Sequence, residues 1–208
     1  VNNEGESAEI MELLHIAEQN ARKDLSLETL AQNPLIQNWR IAYKQFGEKD
    51  DRASHEALIR RVLKGESIPH ISKLVDIYNS ISLKYRVPIG GEDLDKMQGN
   101  IELTFSEGTE KFVTLGSRKE DSPKNGEVIY RDGKEVLCRK WNWRESDNTK
   151  LTSNTKNAFL VVDSMPPASE RGVMTILNDL SSMIEKYCNS KTEKFVLTKT
   201  NSSADFIL

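Results

Sequence analysis

The span from Leu74 to Lys96, LVDIYNSISLKYRVPIGGEDLDK, changes character three times and so limits what the chain around it can become. Leu74, Tyr78, Ile81 and Tyr85 recur at three- and four-residue spacing, which marks one apolar face of a helix. Asn79 and Ser82 sit three apart on another side of that helix, where small hydrogen-bonding groups can point into a pocket. Val87-Pro88 then stops it, because proline lacks an amide hydrogen and pushes the preceding residue out of helical conformation. Gly90-Gly91 reads as a turn whose bare backbone lets a second backbone or a ligand approach closely. Glu92, Asp93 and Asp95 crowd three carboxylates beside it.

Before this span the chain has helical periods. Ile10, Leu13, Leu14 and Ala17 predict a helix over 9–23, with His15 beside the stripe at the surface. Asn33-Pro34 reads as a cap plus first-turn proline, followed by Leu35, Trp39, Ala42, Tyr43 and Phe46 on one face and a stop at Gly47. A charged loop over 49–52 leads to Ser54 as the cap of a helix to Lys64, with Leu58, Ile59, Val62 and Leu63 buried and His55 exposed. On that helix Glu56 and Arg60 are four apart and can pair; alternatively Arg60 or Arg61 meets phosphate or carboxyl oxygens of a substrate.

After Lys96 the period shortens to two. Ile101, Leu103 and Phe105 alternate with polar residues, a turn follows at 106–109, and 112–115 reads as a second strand. Val128 to Tyr130 and Val136 to Cys138 flank Asp132-Gly133, a strong hairpin signal. Phe159 to Val162 is a continuous apolar run suited to a buried central strand. Ser169 caps a last helix whose apolar face runs from Val173 to Tyr187, and a strand is expected at 195–197; Asp205 to Leu208 is too short to classify. The pattern predicts an α+β fold: a mixed or antiparallel β-sheet core packed by helices, with extra helices at the N-terminal side.

A net charge of −3 argues against a protein that coats nucleic acid nonspecifically, which needs many phosphate contacts, but leaves room for one that grips only a chain end. No apolar run approaches a membrane span and no signal pattern opens the sequence, so a cytoplasmic protein is expected. Cys138 and Cys188 are far apart and read as buried thiols, with neither zinc site nor disulfide framework indicated. Phosphate-binding, dinucleotide, zinc-protease and serine-hydrolase motifs are all lacking, so no metal and no cofactor is expected.

The second informative stretch is Cys138 to Glu145, CRKWNWRE. If the strand from Val136 continues, Arg139, Trp141 and Trp143 face one way, and Lys140, Asn142 and Arg144 the other. Two arginines, two tryptophans and an asparagine can stack a ring, hold a phosphate or carboxylate, and orient a carbonyl. The plainer reading is that the tryptophans pack and the arginines pair with Glu145 and Asp147.

Val75, Asp76, Asn79, Leu83, Pro88, Asp93, Asp95 and Lys96 together resemble a segment of the B3/B4 domain in the bacterial phenylalanyl-tRNA synthetase β subunit, and more closely the free-standing B3/B4-domain proteins. The likeness extends over roughly 34–164, through Trp39-Arg40, Ser54 to Leu63, and Arg139 with Trp141 to Glu145. In the synthetase this domain holds the editing site that hydrolyses mischarged tyrosyl-tRNA. Two departures stand out: the family histidine falls on Gly90, and the synthetase's glycine-rich loop is replaced by the tryptophan-arginine stretch. Tyrosine specificity is therefore not carried over. Thr152, Thr155 and Asp163 fall near further family positions in an insecure register.

The resemblance implies an N-terminal helical extension over 1–32 and a B3/B4-like domain over 33–208. It implies a tRNA-binding hydrolase that deacylates misacylated aminoacyl-tRNA in trans, with the aminoacylated 3′ end as partner. An aminoacyl ester is already activated and needs a positioned water and oxyanion stabilisation more than a strong nucleophile. Asn79, Gly90 and Gly91 are the candidate catalytic positions; Arg60, Glu92, Asp93, Arg139, Trp141, Asn142 and Arg144 are the candidate substrate-binding ones. A noncatalytic RNA-binding module, favoured by the lost histidine, and a small-molecule site for an amino acid or nucleoside remain as alternatives. Oligomeric state stays open.

Overall fold

In a computed structural model, described over residues 1–48 and 51–206, the Leu74 helix is the central post of the molecule. The loop residues Lys49 and Asp50, and the terminal Ile207 and Leu208, lie outside the described residues. This helix, α4 (Lys73–Tyr85), starts at Ser72, whose side chain accepts from the Val75 amide, and ends at Arg86 in the left-handed region. α1 (Ala8–Asp24) and α5 (Glu170–Cys188) flank it, and Ile10, Ile77, Ile81, Leu180 and Ile184 meet in one core. α2 (Pro34–Gln45) and α3 (Ser54–Leu63) build a second core with Leu14, Ile36, Ile59 and Leu83. None of the described helices is long and apolar enough to cross a membrane.

The strands form two antiparallel sheets. β1 (Ile89–Asp93) pairs with β6 (Ala158–Val162); β2 (Glu102–Phe105), β3 (Val128–Arg131), β4 (Val136–Arg139) and β5 (Arg144–Glu145) follow in that spatial order. Helices on antiparallel sheets give the α+β class that the periods predict. The β3–β4 hairpin closes over a four-residue loop in which Asp132 Oδ1 accepts from the Lys134 and Glu135 amides, each at 2.7 Å.

Several local expectations are corrected. The diglycine is strand, not turn: Gly90 pairs with Val161 and Gly91 with Leu160. A Cβ on Gly91 would lie 2.2 Å from Leu160 Cδ2, so the residue is there for close approach rather than for reversal. Ser82 does not face a pocket; its hydroxyl donates to the Val87 carbonyl at 2.6 Å and closes the end of α4. β6 is half-buried along its length, because it has a single partner strand. Residues 112–115 make only isolated bridges, Val113 to Glu120 and Thr114 to Ser146, while Phe112 is a core residue. No strand forms at 195–197, where Phe195 and Leu197 are exposed without a pairing partner. Ser54 is the first helical residue of α3 and not its cap, which is Ala53 without a side-chain bond. His55 is buried: one ring edge faces Trp39, with centroids 6.2 Å apart, and neither ring nitrogen has a hydrogen-bond partner among the described residues.

Candidate functional site

The strand from Val136 does not continue through the tryptophans. It ends at Arg139, and Lys140 and Trp141 take left-handed φ values of 49° and 62°, reversing the chain into β5. Consecutive side-chain-bearing residues there cost of order 1–2 kcal/mol each, so the surroundings must enforce the turn. They do: the Trp141 amide donates to Val128 O at 2.7 Å, and the Lys140 amide to Glu127 Oε1 at 3.2 Å. The expected alternation of Arg139, Trp141 and Trp143 against Lys140, Asn142 and Arg144 is therefore lost.

The reversal carries Trp141 and Asn142 up to the diglycine strand. Between the two sheets lies a cleft of about 340 Å³, counted out to its open mouth. Gly90, Gly91 and Glu92 of β1 with Phe159 and Val161 of β6 make one wall. Tyr130, Leu137, Cys138, Trp141, Asn142 and Glu145 make the other.

Two polar systems occupy these walls. The first is a brace. Asn142 Nδ2 donates to Asp163 Oδ2 at 2.9 Å, and the Tyr130 hydroxyl to Asp163 Oδ1 at 2.7 Å. Asn142 Oδ1 accepts from the Ser54 amide at 3.3 Å and stands 3.1 Å from the Tyr43 hydroxyl, whose single proton it shares in turn with Lys140 O at 2.8 Å. Burial raises the Asp163 carboxyl, and these donors oppose the rise. Every oxygen of Asp163 is thus engaged.

The second system is unsatisfied. Glu92 is 5% exposed, and neither of its carboxyl oxygens has a partner among the described residues. Glu145 lies beside it, close enough that a Cβ on Gly90 would sit 2.7 Å from Glu145 Oε1. Burial, then the charge of Glu145, pushes Glu92 well above the ordinary carboxylate range. Burial raises Glu145 as well, with the Asp163 charge adding to it. Burial and mutual repulsion thus both favour keeping a proton on the pair. Tyr78 of α4 faces the same pair: burial and the charges of Glu145 and Glu92 push its phenol up. Cys138 is raised by burial and by the same two carboxylates.

Of the sequence-predicted site residues, Gly90, Gly91, Glu92, Trp141 and Asn142 come together in the cleft. The others stand elsewhere. Asn79 is half-buried on α4, outside the cleft lining. Arg139 is buried in a bidentate pair with Glu127, both bonds 2.8 Å, and meets Asp121 Oδ2 at 2.7 Å. Arg60 reaches Glu56 Oε1 at 2.7 Å beside Arg40, so the expected Glu56–Arg60 pair forms and is joined by a second arginine. Asp93 accepts from the Thr155 hydroxyl at 2.8 Å and the Asp95 amide at 3.2 Å. Arg144 is exposed, its guanidinium 4.8 Å from the Trp143 ring centroid. Sequence reasoning missed Tyr130, Cys138 and Glu145 as wall residues. A single clue was present, since an unremarkable Glu145 follows the tryptophan-arginine stretch directly.

An aromatic run leads away from Trp141. Phe105 is 58% exposed, its ring 5.9 Å from Phe46, which in turn stands 5.6 Å from Trp141. Trp39 backs Trp141 edge-on at 5.0 Å. Such rings can take a nucleobase or an apolar side chain. Among the described residues no group of three or more His, Cys, Asp or Glu side chains is placed to hold a metal ion.

Known proteins match parts of this chain. The chain is 31% identical over 101 residues to the phenylalanine–tRNA ligase beta subunit of Fusobacterium nucleatum, covering 49% of this chain and 12% of that protein. It is 28% identical over 125 residues to the same subunit of Latilactobacillus sakei, covering 57% and 15% respectively. This chain therefore spans only a small part of those relatives. An N-terminal fragment of the phenylalanyl-tRNA synthetase beta subunit from Pyrococcus horikoshii aligns at a TM-score of 0.46 and 24% identity, over 55% of this chain and 39% of the fragment. Residues 38–200, well over half of the chain, match the B3/4 domain, and the chain belongs to that family.

Proposed function

We propose that this chain is an editing-type hydrolase that binds tRNA and releases a wrongly attached amino acid from its 3′ end, acting in trans in the cytoplasm. The observation that carries the reading is the cleft between the diglycine strand and the Trp141–Asn142 turn, in a chain whose relatives are phenylalanine–tRNA ligase beta subunits. Gly90 and Gly91 present backbone without side chains, so an ester carbonyl can lie against β1 with its water alongside. Trp141 covers the acyl group, and the Phe105–Phe46 run outside takes the terminal adenine. Arg139 acts at one remove, holding the turn through Glu127; Asn79 acts likewise, from α4 next to Tyr78. Arg144, exposed beside Trp143, bears on the bound RNA from outside the cleft, whereas Arg60 and the buried Asp93 shape the fold around it through Glu56 and Thr155.

The test is hydrolysis of a panel of misacylated tRNAs by the intact chain. Amino acid should leave at least one member faster than it does without protein, and Trp141→Ala should slow that release about tenfold or more, the effect of losing ~1.4 kcal/mol of positioning. No acceleration with any member overturns the reading. One observation favours a noncatalytic alternative: Gly90 stands where the resemblance places a histidine, and no histidine lines the cleft. Tight tRNA binding without turnover would establish that alternative.

A further inference from the structure

Glu92 is an anomaly: a carboxyl buried in a cleft wall with both oxygens unpartnered. Buried acceptors of this kind are costly unless something completes them. No protein cation does so. Lys96 is turned to Lys150 O at 3.2 Å and to Asp93 at 3.7 Å, and Lys150 to Asp147 at 2.8 Å. A second carboxyl, Glu145, lies against the first, and the lack of a side chain at Gly90 makes room for it. No third ligating side chain of the usual metal-binding types joins them among the described residues. Leu137, Phe159 and Val161 add apolar side chains to the walls, and Asn142 and Tyr130 are tied to Asp163. A cleft wall that carries two acid groups suits the positive end of a ligand.

We infer that the Glu92–Glu145 pair receives a protonated primary amine, which for the deacylase proposed above is the free α-ammonium of the aminoacyl ester. That identification of the amine rests on the deacylase reading; the amine site itself does not. The ammonium has three donors to give, and two carboxylates astride it satisfy them while its charge replaces the proton the pair retains. Binding therefore releases a proton. An acylated amine has neither the charge nor the donors, and a carboxylate or phosphate group is repelled from this end.

The probes are 3′-deoxy-3′-(aminoacylamino)adenosines carrying alanyl or phenylalanyl groups, in which an amide replaces the ester and cannot be hydrolysed readily. Each is compared with its N-acetyl derivative by calorimetry at neutral pH, in two buffers of different ionisation enthalpy. The free amines should bind about tenfold or more tighter than the acetylated ones, the scale of a charge-assisted pair, with proton release. Glu92→Gln and Glu145→Gln should each reduce that preference to about twofold or less and abolish the proton release. Both substitutions keep shape and relieve repulsion, and unchanged thermal transitions or higher ones establish that the variants fold. Equal binding of free and acetylated probes, absence of binding by all of them, or a preference that survives both substitutions overturns the inference. The two readings fail separately. An amine preference without hydrolysis of any misacylated tRNA keeps the amine site and removes the deacylase. Hydrolysis of N-acetylaminoacyl-tRNA as fast as of its free-amine counterpart removes the amine site and keeps the deacylase.

Discussion

At the scale of single residues, two buried titratable groups set opposite pH slopes. The folded chain keeps a proton on Glu92 that the unfolded chain gives up near pH ~4.3. The folded state thus binds more protons, and stability falls as pH rises from that point through the raised pKa. Burial and Glu145 hold the pKa up, while the Thr149 hydroxyl and the charge of Lys96 pull it down. Glu92→Gln should remove the slope and raise the thermal midpoint at pH 8, by roughly 2–4 °C for each kcal/mol regained. A midpoint at pH 8 that falls on substitution contradicts the protonated pair. His55 works the other way: burial lowers it to about 4 from the usual 6.5, so the unfolded chain takes up its proton first. Stability from this residue is complete above pH ~6.5 and drains away toward pH 4, by at most about 3 kcal/mol. His55→Leu, followed by urea titration at pH 7 and pH 5, should flatten that limb.

At the scale of elements, the diglycine strand separates two glycines that look alike in sequence. An added methyl at Gly91 meets Leu160 Cδ2 at 2.2 Å and the Phe159 carbonyl at 2.9 Å, and backbone cannot step aside. Gly91→Ala should cost about 1–3 kcal/mol in urea unfolding, the usual range for overpacking. Gly90→Ala meets only the tip of Glu145, at 2.7 Å, and should cost less while displacing that carboxyl. Equal costs at the two positions would mean that β1 is more yielding than its pairing implies. The helices were legible because a 3.6-residue apolar period and a cap suffice to place them; α2 begins at Asn33-Pro34 and α5 at Ser169, as their residues indicate. Strands were legible from alternation at 101–105, from the apolar run at 159–162 and from the turn at Asp132. Gly90-Gly91, Lys140-Trp141 and residues 195–197 misled for one reason. Their conformation is decided by partners distant in sequence, such as Leu160 or Val128, or by the want of one.

At the scale of the whole molecule, the Asn142 amide joins α2, the start of α3, the β4–β5 turn and the end of β6. Removing it leaves the Ser54 amide unpaired and deprives Asp163 of one of its donors. Asn142→Ala should therefore destabilise the chain by about 1–3 kcal/mol with an unchanged urea m-value, the signature of lost stability without altered compactness. A fall in m would instead mean that the sheets part independently. No sequence period could announce this junction, since its members are spread from Tyr43 to Asp163. That the two stretches singled out in the sequence meet in one cleft was legible as chemistry, glycines and aromatics with polar groups between. The carboxylate pair was not, because Glu92 and Glu145 become neighbours only when separate sheets face each other.

Those two sheets share no strand; the backbone links them only at one end, where Glu92 bridges Lys150 and the Asp93 amide donates to Thr149 O at 2.8 Å, and side chains set the spacing across the rest of the cleft. Such jaws work as a calliper. An occupant too thin leaves a gap under Trp141, one too thick must pry β1 away from the β3–β5 face, and the gauge can be reset by changing a single side chain in either wall.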